Sequence, residues 1–397
     1  MRGANHSERP AVLLTNAEER SVLAACRSLS RAGYRVGAAS HTSLAPAQWS
    51  RSCDWRVRVP DPRRDAVGFV AQLRDELALR PYAALIPGSD GALLAISRNR
   101  TQLPAAALVG LPPHAVVERV LSRTHMSEAA RAAGFAEIPT IRCSTVEDAL
   151  AASRELGYPI ALKSTDAAIA DAGAVSGAAK GRLVHSDAEL RREAPHFDGD
   201  LLLQAFIGGE PVSFAGVIGG GELLALATTR YVRMWPPDGG SVAFGETIAT
   251  PPGLDVQVRD LLAALEWEGI FELEFIRTGP AAHDFIPIDL NPRPYGSMAL
   301  ACAAGAPLAA IWCDWLLGRG AHSRDPAAHP ARAQPGMRYR WEDGDLRHFA
   351  WQLRRRRPGA AFAAARPHRG VVHAHLQRRD PLPLLARIAY LAKRTLG

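Results

Sequence analysis

An α/β fold, doubly wound over the first 115 or so residues and α+β beyond them, is predicted by three observations. Short apolar runs alternate with amphipathic ones, glycines stand where helices must stop, and the second half is rich in strands joined by tight turns. AVLLTNAEERSVLAACRSLSRAGYRVGAAS reads as a strand, an amphipathic helix from about Glu18 to Ala32, Gly33 as its terminator, and a second strand. PYAALIPGSDGALLAIS is another buried strand, turning into a helix at Gly88-Ser89-Asp90. No G-x-G-x-x-G follows the first strand, which argues against a dinucleotide site there. Asp90 has two readings, a substrate contact at the strand's carboxyl end or the N-cap of the helix.

From Thr145 the pattern is helix (STVEDALAASRELG), strand (YPIALKS), a loop rich in Gly and Ala, strand (GRLVHS), helix (DAELRRE) and strand (LLLQAFI). A hairpin follows: PVSFAGVI, the turn Gly219-Gly220-Gly221, and ELLALATTR. LDVQVRDLLAALEWEG reads as a helix capped by Asp255 and ended by Gly269, before two strands, IFELEFIR and DFIPIDLN. No internal repeat or low-complexity tract is present.

With 397 residues and 47% apolar content, the chain buries a large core in two or three domains. Five cysteines, Cys26, Cys53, Cys143, Cys302 and Cys313, show no C-x-x-C pair or metal-ligand spacing, which favours reduced thiols in a cytosol. The polar start MRGANHSERP has no apolar core of the kind a signal peptide needs. Residues 297–318 hold Asp314 as their only charge and are long enough to span a bilayer, but Gly305 and Pro307 interrupt them and assign them to the core. The net charge of +7 is uneven: residues 331–397 carry 15 Lys+Arg against 4 Asp+Glu. The run Arg354 to Arg357 lacks interleaved aromatics, so it reads as a solvated basic face rather than a nucleic-acid motif. The helix after Pro383 carries Leu384, Leu385, Ile388 and Leu391 on the side expected to pack on the body or a second subunit. His373 and His375 share a strand face, with no third metal ligand in view.

The chemistry-bearing residues cluster late. Alternation puts Glu272 and Glu274 on one face of their strand, and Asp289 and Asn291 on one face of theirs, opposite Ile286, Ile288 and Leu290. If the strands pair, Glu274, Asp289 and Asn291 converge, and clustered hard oxygen donors suit Mg²⁺. Glu272 reads as a surface carboxylate. Only three lysines occur, Lys163, Lys180 and Lys393, and the first two flank a single loop carrying Gly173 and Gly177. Exposed N–H groups and ammonium heads there would cradle phosphate.

Taken in order, LGYPIALKS, AAKGRLVHSDAEL, LLLQAFIGGEP, RYVRMWPPDGGS and ELEFIRTGPAAHDFIPIDLNPRPYGSMALACAAGAPL resemble the ATP-grasp superfamily, nearest its stand-alone carboxylate-amine ligases of the D-aspartate ligase and carbamoyl-phosphate-synthase types. The resemblance implies a Rossmann-like pre-ATP-grasp domain over 1–117 and a two-lobed ATP-grasp domain over 118–320, with a lid subdomain at about 137–205. A basic extension over 321–397 completes the chain.

It also implies a site. Lys163 and Lys180 would touch the phosphates of ATP, and Gln204, Phe206 and Ile207 would read adenine. Glu210 would take the ribose hydroxyls, and Arg123 stands where relatives carry a phosphate-facing lysine. Glu274, Asp289 and Asn291 would hold two Mg²⁺ ions, for which Mn²⁺ substitutes. Arg293 would stabilise the transferred phosphoryl group, and Arg230 or Arg233 would contact phosphate. Pro292 and Pro294 stiffen the backbone around Arg293, and the loop at 173–181 would close as a lid. The implied reaction joins a small carboxylate to an amine through an acyl phosphate, releasing ADP and phosphate in the cytoplasm. Neither nucleic acid nor stable membrane insertion is expected, and a homo-oligomer is compatible with this reading. Two alternatives remain: an ATP-binding module whose basic tail docks on membrane or RNA, and a kinase-like phosphotransferase.

Overall fold

The computed structural model describes residues 9–396 apart from 109, 166–180, 198–199, 238 and 321–327. Strands β1 (Ala11–Leu14), β2 (Arg35–Ser40), β3 (Trp55–Arg58) and β4 (Tyr82–Ile86) form a parallel sheet in the order β3-β2-β1-β4. The helix Arg20–Arg31 joins β1 to β2 and buries Ser21 through Leu29, because helices 298–303 and 308–316 cover its outer side. It stops where Gly33 adopts φ of 93°.

A second sheet is antiparallel. Strands β5 (Thr140–Cys143), β6 (Ile160–Ser164), β7 (Arg182–Val184) and β8 (Leu201–Ala205) run in the order β5-β8-β6-β7. Helices Val146–Leu156 and Asp187–Glu193 share a small core with Ile160, Leu162, Leu201 and Leu203. The period of two then turns Ala161, Lys163 and Gln204 to the opposite face.

The third sheet holds β9 (Glu210–Gly219), β10 (Glu222–Trp235), β11 (Ser241–Ile248), β12 (Gly269–Arg277), β13 (Phe285–Asn291), β14 (Ala331–Arg332), β15 (Arg338–Arg340) and β16 (Val371–His373). Its order is β13-β12-β9-β10-β11-β15-β16, with β14 beside β10. Phe214, Phe271, Leu273 and Phe275 pack on one face with the helix Leu254–Ala264. On the other, Ala215, Ala227 and Ile270 meet the helices around Arg20–Arg31. The basic C-terminal region thus supplies strands to the largest sheet.

Several local expectations are corrected. Gly253, at φ of 86°, precedes the helix at 254, while Asp255 lies in the first turn and pairs with Arg332 at 2.8 Å. That helix ends at Ala264, and Gly269 opens β12 instead of closing the helix. A register shift between β12 and β13 pairs Glu274 with Asp289 but Phe275 with Pro287. The extra residue changes the alternation, so Phe285 and Leu290 both enter the core and Ile288 does not. The final helix, Leu382–Leu396, buries Pro383 and Ala386 and leaves Leu385 and Ile388 exposed, the reverse of the expected packing for those two residues.

Residues 297–318 form two short helices, Met298–Ala303 and Leu308–Leu316, and Asp314 accepts a 2.6 Å hydrogen bond from Tyr34. No helix among the described residues is long and apolar enough to cross a membrane. All five cysteines are free thiols.

Asp380 fastens the C-terminal region to the first sheet's side of the molecule. Its carboxylate accepts from Arg27 Nε at 3.0 Å, Ser50 Oγ at 2.7 Å and the Arg51 backbone N–H at 3.0 Å. Removing one partner of a buried ion pair strands the other charge, at a cost of about 3 kcal/mol. Asp380→Ala is expected to lower unfolding free energy by about that amount in urea titrations, with Arg27→Met/Asp380→Met recovering much of the loss.

Candidate functional site

A cleft of about 340 Å³ opens between the second and third sheets. Lys163, Gln204, Phe206 and Ile207 line it from one side, and Tyr231, Glu274, Ile288 and Asp289 from the other. Lys163 reaches it because the residues beside it on β6, Leu162 and Ser164, point the opposite way. Its ammonium donates to the Ile288 carbonyl at 2.8 Å. Burial pulls the Lys163 pKa down to about 8, against the opposing field of Asp289, while Arg123 adds to the depression and Glu274 resists it. Gly181 lies against this lysine, at φ of 106°, and a Cβ there would stand 3.3 Å from Lys163 Cγ and 3.1 Å from the Leu162 carbonyl. Lys180 and the rest of the loop at 173–181 before Gly181 lie outside the described residues.

Glu274 and Asp289 sit directly opposite one another on β12 and β13. Like charges so placed repel, and the cations that answer them are Lys163 and Arg123, whose Nη2 lies 3.6 Å from Asp289 Oδ1. Arg123 is itself buried, donates to the Ser164 carbonyl at 2.8 Å, and stands behind the cleft wall. Two carboxylates converging at a phosphate-sized cleft are donors that fit Mg²⁺, which takes one or two carboxylates plus phosphate oxygens. No group of three or more His, Cys, Asp and Glu side chains among the described residues is placed to hold a metal by itself.

Glu272 is not the surface carboxylate that alternation suggests; it is 3% exposed. It shares a face with Glu274, but the helices behind that part of the sheet cover it. Asn291 Nδ2 donates to it at 3.1 Å, and so does Tyr231 Oη at 3.1 Å, with Glu274 Oε1 3.4 Å from the same hydroxyl. Burial raises the Tyr231 pKa, and Glu272 and Glu274 raise it further, so the phenol stays protonated. Tyr231 carries no motif signal beyond its place between Arg230 and Arg233.

Asn291 Oδ1 accepts from Arg293 Nη2 at 3.1 Å, so its oxygen is oriented by that guanidinium. Arg293 in turn makes a two-pronged pair with Asp90, Nε to Oδ1 at 2.6 Å and Nη2 to Oδ2 at 2.9 Å. Asp90 is therefore neither the N-cap, which is Ser89, whose hydroxyl accepts from the Ala92 N–H at 3.1 Å and donates to Asn16 Oδ1 at 3.1 Å, nor a bare strand-end acid.

The remaining residues lie off the cleft wall. Glu210 pairs with Arg277 and, at 3.4 Å, with Arg230; Arg230 also contacts Glu246. Strand register puts Arg230 and Glu210 on the Val212 and Phe275 face, opposite Glu274. Arg233 is fixed by Asp345 through contacts at 2.9–3.1 Å and covers the Phe244 ring, which leaves Arg230 the more accessible of the two.

No family model matches the chain, and no curated protein matches it. Solved structures do. N5-carboxyaminoimidazole synthetase from Staphylococcus aureus complexed with ADP superposes with a TM-score of 0.60 at 13% identity, over 83% of this chain and 80% of that one. Biotin carboxylase from Campylobacter jejuni in a β,γ-ATP complex gives 0.61 at 15% identity, over 84% and 75%. L-amino acid ligase from Bacillus licheniformis gives 0.57 at 14% identity, over 78% and 74%. The chain has the ATP-grasp fold.

Two outcomes are expected. Because Lys163 loses its charge as pH rises through about 8, affinity for an anionic nucleotide such as ADP should fall between pH 7 and 9 by calorimetry, and Lys163→Met should abolish that dependence. Asp90→Ala should destabilise the fold by about 2 kcal/mol in urea, since it takes from the half-buried Arg293 its two-pronged contact with a buried carboxylate.

Proposed function

We propose that the protein is an ATP-dependent carboxylate-amine ligase, forming an amide through an acyl phosphate and releasing ADP and phosphate. One observation carries the reading: Lys163 of the second sheet and the Glu274–Asp289 pair of the third line the same cleft. A cation on one lobe facing acids on the other is the arrangement a magnesium nucleotide requires. The ATP-grasp fold and the names of its solved neighbours, a synthetase, a carboxylase and an amino acid ligase among them, support it.

In this reading Lys163 neutralises phosphate oxygens, and Gln204 with the backbone of Phe206 and Ile207 orients the base. Glu274, Asp289 and Asn291 would hold Mg²⁺, which supplies charge neutralisation at the β- and γ-phosphates. Arg293, held by Asp90 and Asn291, presents its guanidinium to phosphate or acyl phosphate at little entropic cost. The substrate carboxylate oxygen bonds the γ-phosphorus as the bond to the β–γ bridging oxygen breaks and ADP leaves. The amine nitrogen then bonds the acyl carbon, the carbon–oxygen bond to phosphate breaks, and the nitrogen gives up its proton. Tyr231, kept protonated, holds Glu272 and Glu274 in register and does not exchange protons in the cycle. Lys180 and Glu210 belong to the same proposal, as phosphate and ribose contacts.

The test is a matrix of small acids and amines incubated with Mg²⁺-ATP and scored by mass spectrometry for condensed product and by nucleotide analysis. ADP and phosphate are expected only when both an acid and an amine are present, and Lys163→Met should lower turnover by about 10²-fold or more. AMP as the by-product would overturn the acyl-phosphate route.

A further inference from the structure

The carboxylates of residues 331–396 all turn inward. Glu342 accepts from the His375 and Leu376 backbone N–H groups, Asp343 holds Arg387, Asp345 holds Arg233 and Arg340, and Asp380 holds Arg27. No carboxylate of this region is exposed among the described residues, whereas Arg347, the run Arg354 to Arg357, Arg378, Arg379 and Lys393 all are. Among the described residues, the fully exposed charges of this region are therefore all positive.

The same C-terminal region also exposes aliphatic side chains. The helix Leu382–Leu396 packs against residues 46–49 and turns Pro383 and Ala386 inward. It leaves Leu382, Leu385 and Ile388 exposed at 43%, 57% and 55%, three residues apart along one stripe, with exposed Lys393 nearby. Leu346, Leu353 and Phe362 are likewise exposed around the four-arginine run.

We propose that this face docks peripherally on an anionic lipid bilayer, with Leu382, Leu385 and Ile388 entering the headgroup boundary and the arginines resting on lipid phosphates. Apolar stripes edged by cations bind such surfaces by burial and charge together. A second copy of the chain would bring the same cations into contact. RNA is held by stacking on several exposed rings, whereas the helix stripe is aliphatic and Phe362 is the one ring among the exposed apolar residues named in this region. No helix among the described residues is long and apolar enough to cross a membrane, so the contact is peripheral and reversible, and it is independent of the ligase reading.

The experiment is co-sedimentation of the full chain with vesicles of phosphatidylcholine alone or mixed with phosphatidylglycerol, across a salt series. Binding to the mixed vesicles only is expected, weakening with salt and falling about tenfold or more in Leu385→Glu/Ile388→Glu. That variant alters exposed positions, so its melting temperature should match the parent; Arg378→Ser/Arg379→Ser, which spares the helix, should also weaken binding. Absence of binding to mixed vesicles at low salt overturns the proposal. So does undiminished binding by both variants, a dimer that both variants dissolve, or displacement from vesicles by single-stranded RNA.

Discussion

A buried carboxylate, Glu272, is the constraint around which the cleft is arranged. A carboxyl group out of water is costly unless hydrogen-bond partners answer it. Here Asn291 and Tyr231 answer it, and each is thereby committed to one orientation. Asn291 then fixes Arg293, Arg293 fixes Asp90 at the start of the helix that follows β4, and Tyr231 reaches Glu274 at the cleft. A continuous polar chain thus runs from the helix after β4 to the cleft, and it keeps a guanidinium and two acids in position.

Much of this was legible in the sequence, for physical reasons that differ by residue. Lys163 stood out because lysine is rare here and ends an apolar strand. Glu274 and Asp289 stood out because period-two alternation gives each a face. Alternation fails where the ladder slips: Leu290 is buried as its face requires, but the register shift opposite Phe275 takes Ile286 and Ile288 off the core face and puts Phe285 on it, which no count along the strand foretells. Glu272 looked like a solvent residue because nothing local announces the helices that cover it. Asp90 looked like a cap because its partner lies 203 positions away. The tail helix was read by its leucines, yet Pro383 and Ala386 are the residues that pack, since close approach to residues 46–49 favours small side chains over large ones.

The chain sorts its charges by task. Inward-facing acids of the C-terminal region each hold an arginine or a backbone segment, and acids at the cleft face Lys163 and Arg123. Arginine, always charged and able to fork two bonds, does the fastening. Lys163 sits at the cleft where burial has brought its proton within reach of neutral pH.

The strands β15 and β16 give a last consequence. They cover the outer side of β11, with Tyr339 wholly buried between them and the body. A chain cut short before residue 331 would uncover the backbone N–H and C=O groups of β11 along an otherwise regular ribbon. Such a bare rim invites pairing with any extended peptide, its own neighbours first. The basic segment therefore also acts as a selvage, keeping the largest sheet from growing from one molecule into the next.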